Sequence, residues 1–264
     1  ITGSGLATVI AQTLSLTGLL VHLYRHHHPL CLKGEDAKLL RPDGAIIGAL
    51  IRKGVPMGLQ MIVLSLSAVL MITLVNRFGV DTAAAFGATQ QLWSYIQMPA
   101  FALSMAVSTM AAQNVGAQKW DRVKSIARNG VLFNFILTGS LVAIIEIFSS
   151  HALGVFLPAG SAALPIAEHL NRVAAWSFIF FGVSMVLGGA VRATGAVIMP
   201  LLVLTFSLLV VRFPLAEAMI PRWQADAIWW SFPLSAALAA ILMALYYKFG
   251  GWRSARMMPV HAGP

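Results

Sequence analysis

Two rows of side chains recur at helical spacing within apolar sequence. Gln90, Ser94, Gln97, Phe101, Ser104 and Ser108 follow one another at steps of 4, 3, 4, 3 and 4 residues, which puts them on one face of a helix. Met57, Gln60, Leu64, Ser67 and Met71 repeat the same three-and-four step in the preceding apolar run. An amide or hydroxyl in apolar surroundings must meet another helix or water. The rows therefore either bond helix to helix or wall a wet cavity. Pro99 sits beside the first row and should free the carbonyl of Tyr95, letting the helix bend.

Other reactive groups are sparse. Glu146 is an acid inside an apolar run. A carboxylate at membrane depth is a functional candidate by default, although its place near the end of its run also suits a side chain reaching the interface. His26, His27 and His28 are adjacent, too close for the i, i+4 chelate of an HExxH helix. They read as a solvated loop, and no metal site is expected. There is no GxxxxGK[ST] and no Ser/His/Asp arrangement, so neither ATP hydrolysis nor another enzymatic function is expected, and no cofactor. The lone cysteine, Cys31, excludes an internal disulfide framework.

These residues need helices to carry them. The chain is 58% hydrophobic and only 10% charged, against roughly 25% charged in a soluble domain. Seven apolar segments are long enough to span a bilayer. They run from about Gly5 to Tyr24, Val55 to Val75, Ala84 to Ala112, Gly130 to Phe148, Leu170 to Val191, Ala196 to Met219 and Ile228 to Tyr247. The expected fold is an all-α polytopic transmembrane bundle. Pro56 suits the first turn of its helix, and Gly116 a left-handed C-cap. Trp229, Trp230, Tyr246 and Tyr247 flank the last segment as an aromatic belt would. Ser184 and Gly188 form a small-xxx-small pair that permits close helix contact.

The net charge of +9 need not mean nucleic acid, because basic residues gather beside spans on the cytoplasmic side. Placing the basic connection at residues 26–53 inside puts most of the 18 Lys and Arg there too. Lys119, Arg122, Lys124, Arg128 and Arg192 lie inside in this arrangement, and the C-terminus is cytoplasmic. Arg77, Arg172, Arg212 and Arg222 are left at the outer ends. The expected location is the cell membrane, as in a bacterial inner membrane. The chain opens at Ile1 directly into an apolar helix, which suggests a piece of a longer protein.

Four motifs then carry a resemblance. They are Gly54-Val55-Pro56-Met57-Gly58-Leu59-Gln60, Ala112-Gln113-Asn114-Val115-Gly116-Ala117, Gly189-Ala190-Val191-Arg192-Ala193-Thr194-Gly195 followed by Met199-Pro200, and Ile228-Trp229-Trp230-Ser231-Phe232-Pro233. In this order and spacing the chain resembles the C-terminal half of a multidrug and toxic compound extrusion (MATE) transporter. The resemblance implies twelve helices in two lobes with a cavity between them. Residues 1–25 would be the last helix of the first lobe and 26–53 the cytoplasmic linker. The six-helix second lobe would be 54–250, and 251–264 a cytoplasmic tail. Pro56, Pro99, Gly116, Arg192 and Gly195 are expected to be structural, with Arg192 bonding carbonyls at its helix end or lipid phosphate.

The resemblance favours the cavity use of the two rows, with Gln60, Ser67, Gln90, Ser94, Gln97 and Phe101 as substrate-cavity candidates. It implies export of organic cations or amphiphilic drugs by H+ or Na+ antiport through alternating access. The alternatives are a lipid-linked saccharide flippase of the same superfamily and a truncated remnant that does not transport. Partners would be the bilayer, such small molecules and the missing N-terminal lobe. Some members carry coupling carboxylates in two of these spans; here Leu64 and Phe181 stand near those positions. Coupling is therefore expected mainly in the missing lobe, with Glu146 the weak candidate in this chain. The 12 Met and 14 Phe suit adaptable, weak contacts.

Overall fold

A computed structural model describes residues 2–26, 43–158 and 160–255. The loop histidines His27 and His28, Cys31, most of the connection and the end of the tail lie outside the described residues. No strand occurs among those described. Residues 1–47 and 48–264 form two separate units. The first contains α1 (Thr2–Arg25), whose apolar side chains from Leu6 to Leu20 are exposed.

The second unit is a helical bundle built from most of α2 (Gly44–Val75), α3 (Val80–Gly116), α4 (Trp120–Ile147), α5 (Ser149–Gly154), α6 (Ala163–Ala174), α7 (Ser177–Arg192), α8 (Ile198–Thr205), α9 (Phe213–Trp223) and α10 (Ala225–Phe249). A seven-residue π-helix, Phe206–Arg212, joins α8 to α9. Five runs are long and apolar enough to cross a membrane: Gly5–Arg25, Gly44–Phe78, Trp120–Ile147, Ile198–Trp223 and Ala225–Phe249. The pair α6 and α7, bent by 45° at a short break, would make a sixth. The 37-residue α3 is long enough too, but its polar row keeps it out of that set. Its buried face explains the tolerance: Phe86, Trp93, Ile96, Ala100, Ser104, Val107 and Ala111 all turn inward against protein.

Trp93 is the hub of the larger core. Its ring meets Phe178 and Phe232 edge-on, each at 5.2 Å between centroids, and Phe86 at 6.4 Å. At the other end of the bundle, Val107, Ala111, Val123, Val186, Val191, Met243 and Trp252 form a second cluster. Glycines set the spacing between α7 and its neighbours. A Cβ on Gly189 would come within 2.5 Å of the Ser104 carbonyl oxygen. A Cβ on Gly182 would overlap the Asn134 side chain, which uses that room to donate to the Ile179 carbonyl at 3.0 Å. Gly189 and Gly182, rather than Gly188, are thus the close contacts of α7.

Several expectations are corrected. Pro56 lies well inside a continuous α2, not in its first turn. Asp43 starts the helix instead, accepting from the Ala45 N–H at 2.7 Å and the Ile46 N–H at 3.3 Å. Gly116 is the last helical residue of α3, and the left-handed residue is Gln118 (φ 57). There the Lys119 N–H returns to the Asn114 carbonyl at 2.8 Å, a Schellman-type closure. Trp229 is buried, stacked on Phe86 at 6.1 Å, and Tyr247 stacks on Trp252 at 5.0 Å; neither belongs to a lipid-facing belt. The start of the tail is also packed, with Trp252 1% exposed. Its carbonyl accepts from Thr194 Oγ1 at 2.8 Å.

The π-helix has a local cause. Pro214, just past it, lacks the N–H that would bond the carbonyl four residues back, and its ring crowds that carbonyl. A widened turn upstream relieves the crowding and resets the helical register at Arg212.

Candidate functional site

Both sequence rows border cavities of the second unit. The first cavity, about 140 Å³, has Leu64, Ser67 and Met71 of α2 on one wall and Gln90, Trp93 and Gln97 of α3 on another. Phe178 and Phe181 of α7, Arg212 of the π-helix and Phe232 of α10 also line it. The second, about 390 Å³, is lined by Met57, Gln60 and Met61 of α2, Phe101, Ser104, Met105 and Ser108 of α3, and Met185 and Arg192 of α7. Four methionines meet in it, giving a soft and adaptable wall. Phe101 borders the second cavity and Phe181 the first. Their rings meet edge-on at 5.8 Å, so this pair stands where the two cavities adjoin.

Of the predicted cavity residues, Gln60, Ser67, Gln90, Gln97 and Phe101 are brought to these walls. Ser94 is not. It is exposed, away from both cavities, and donates to the Gln91 carbonyl of its own helix at 2.6 Å. Leu64 and Phe181 both line the first cavity. No Asp or Glu lines either cavity.

Arginines supply the charge. Arg192 does not cap its helix end. Its Nη2 donates to Ser104 Oγ at 2.7 Å and its Nη1 to Gln60 Oε1 at 3.3 Å, so it links α7 to both rows. The turn carbonyl of Gly195 (φ 91) instead accepts from Lys53 Nζ at 2.7 Å. Arg212, expected at an outer end, lies in the first cavity. Its Nε donates to Ser235 Oγ at 2.8 Å and its Nη1 reaches Ser67 Oγ at 3.5 Å. Its guanidinium carbon is 4.5 Å from the Phe232 ring centroid, a cation–π contact. A signal for it existed: Arg212 is the only charge between Arg192 and Glu217, and a lone charge in an apolar run marks a functional candidate.

Glu146 touches neither cavity directly. Its Oε2 accepts from Asn171 Nδ2 at 2.9 Å and its Oε1 lies 3.7 Å from Arg172 Nε. Asn171 Oδ1 in turn accepts the Trp93 indole N–H at 3.1 Å. The carboxylate thus connects to a cavity wall through two side chains. Among the described residues no group of His, Cys, Asp and Glu could hold a metal ion.

The comparisons with known proteins agree with this architecture. The MatE family profile matches residues 56–217. The chain belongs to the MatE family. It is 35% identical to the probable multidrug resistance protein YoeA of Bacillus subtilis over 94% of this chain and 54% of that one. It is 26% identical to a probable multidrug resistance protein NorM of Pseudomonas aeruginosa over 97% of this chain and 53% of that one. The chain thus spans about half the length of the curated relatives it matches. A solved structure of a MATE transporter from Vibrio cholerae superimposes with a TM-score of 0.84 at 15% identity, over 97% of this chain and 57% of that one. An outward-facing MATE family structure gives 0.74 at 17% identity, over 79% of this chain and 48% of that one. The curated relatives are named as probable multidrug resistance proteins, and the solved structures as MATE transporters.

Proposed function

We propose that the chain is one lobe, corresponding to the C-terminal half, of a two-lobed secondary transporter that exports amphiphilic or cationic small molecules from the cell. One observation carries the proposal. The polar rows of α2 and α3 border two adjoining cavities lined by aromatic rings, methionines and a few amides, a lining suited to varied small molecules. The relatives' multidrug names and their roughly doubled length support a second lobe facing these walls. In this reading the two lobes rock about a central site, the basic Lys119–Arg128 turn and the C-terminus face the cytoplasm, and the driving ion is H+ or Na+. Neither cavity offers a carboxylate, so ion binding falls to the N-terminal lobe or to Glu146.

The complete gene product should be expressed in a bacterial strain stripped of its own efflux systems. Ethidium accumulation should fall, and a protonophore or removal of Na+ should restore it. Unchanged accumulation with the protein correctly inserted would overturn the reading.

A further inference from the structure

We propose that the Arg212 cavity binds the acidic group of an amphiphilic substrate: a carboxylate, sulfonate or phosphate joined to an apolar body. This rests on the transport reading and narrows its substrate class at this site.

The cavity carries one charge, and it is positive. Arg212 is the sole ionisable side chain on its walls. None of the ion pairs among the described residues involves it. A guanidinium has five N–H donors and no acceptor. Here two of its nitrogens turn to hydroxyls, Ser235 at 2.8 Å and Ser67 at the long distance of 3.5 Å. Both acceptors are neutral, and Nη2 has no hydrogen-bond partner among the described residues. A cation held among apolar side chains is costly unless paired, and the fork of a guanidinium matches two oxygens of one acid group.

The surroundings suit such a ligand. Gln90 and Ser177 line the same cavity, and their side chains make no hydrogen bond to another described residue. An amide N–H and a hydroxyl are therefore free to donate to acid oxygens. Phe232 covers the guanidinium at 4.5 Å. Trp93, Phe178 and Phe181 continue the aromatic wall, against which an apolar body can lie. An organic cation would meet Arg212 as a like charge, with no carboxylate nearby to offset it.

The test uses matched probes on the complete gene product in lipid nanodiscs: naphthalene-2-sulfonate, and the same ring bearing a trimethylammonium group. The sulfonate should bind the unaltered protein about tenfold or more tighter than it binds Arg212→Gln, the scale of one charge-assisted hydrogen bond. Arg212→Lys should keep most of the affinity. Gln90→Glu sets a carboxylate on the same wall and should weaken the sulfonate while strengthening the cation. Thermal melting establishes that each variant is folded, and Gln90→Glu carries the test if Arg212→Gln is not. Equal sulfonate affinity in the unaltered protein and the folded variants overturns the proposal. So does a protein that binds the cation but not the sulfonate, an outcome that leaves the transport reading intact. Sulfonate binding without ion-driven movement of either probe in proteoliposomes upholds the site and overturns transport. Replacing phosphatidylcholine by phosphatidylglycerol identifies the source of the acid group. Competition that disappears in Arg212→Gln points to a lipid headgroup; none points to a solute.

Discussion

Arg192 Nη2 donates to Ser104 Oγ at 2.7 Å, and the Ser104 hydroxyl donates in turn to the Met185 carbonyl at 2.6 Å. One hydroxyl of the α3 row therefore satisfies a charged donor from α7 and pins α3 to α7 at the same point. Ser104→Ala leaves the guanidinium with only the longer 3.3 Å bond to Gln60. The expected loss of stability is about 1–3 kcal/mol, the cost of stripping a hydrogen bond from a charged group. Thermal unfolding in detergent measures it. A loss under about 0.5 kcal/mol, the level of an uninvolved site, would show that water replaces the hydroxyl.

The same crossing sets a steric prediction. A Cβ on Gly189 would come within 2.5 Å of the Ser104 carbonyl, which is backbone and cannot step aside. A Cβ on Gly188 would meet the Arg192 guanidinium at 3.1 Å, the movable end of a long side chain. Gly189→Ala should cost about 1–3 kcal/mol through overpacking, and Gly188→Ala much less. Matched unfolding curves decide it, and equal losses would place the close contact elsewhere on α7.

Asn171 holds two groups that have no easy substitute. It accepts the Trp93 indole N–H at 3.1 Å and donates to Glu146 at 2.9 Å. Asn171→Ala strands the indole N–H of a fully buried tryptophan and should destabilise the protein by about 1–3 kcal/mol. Glu146→Gln preserves an acceptor for Asn171 and should leave both stability and drug resistance near normal. Loss of transport in Glu146→Gln at normal protein levels would instead make this carboxylate part of the coupling machinery.

What the sequence made legible follows from periodicity. The seven apolar segments are mainly helical, the fifth broken between Ala174 and Ser177, and the Gln and Ser rows at steps of three and four led to the cavity walls. Ser94 shows the limit of that method. A row repeats only approximately, and a residue at its edge can turn outward. Arg212 escaped for a different reason. The distribution of Lys and Arg between the two faces left it at an outer end with Arg77, Arg172 and Arg222, although it falls inside the Ala196 to Met219 segment. The π-helix that resets the register there has no period of its own to read. Gly116 misled because glycine is the usual left-handed residue, whereas the chain turns two positions later at Gln118.

The cavity assignment itself can be probed by chemical access. Gln90 and Gln97 line the first cavity, half-buried, while Leu92 on the same helix is 6% exposed and packed in the core. Ser94 is exposed but borders neither cavity. Single cysteines at these four positions, in the complete gene product with Cys31 replaced by serine, separate three environments. Thiolates form readily only where water reaches them, so a hydrophilic methanethiosulfonate reagent reports wet surface. Cysteines at Gln90 and Gln97 should react, and an amphiphilic substrate filling the cavity should protect both. A cysteine at Leu92 should stay inert until the protein unfolds. At Ser94 the outcome depends on what faces that side of α3. Inertness fits lipid, and reaction without substrate protection fits water outside the site. The discriminating result is protection. If Gln90 and Gln97 react no faster than Leu92, or if substrate shields Ser94 as well as it shields them, the two rows serve helix packing and the substrate path runs elsewhere.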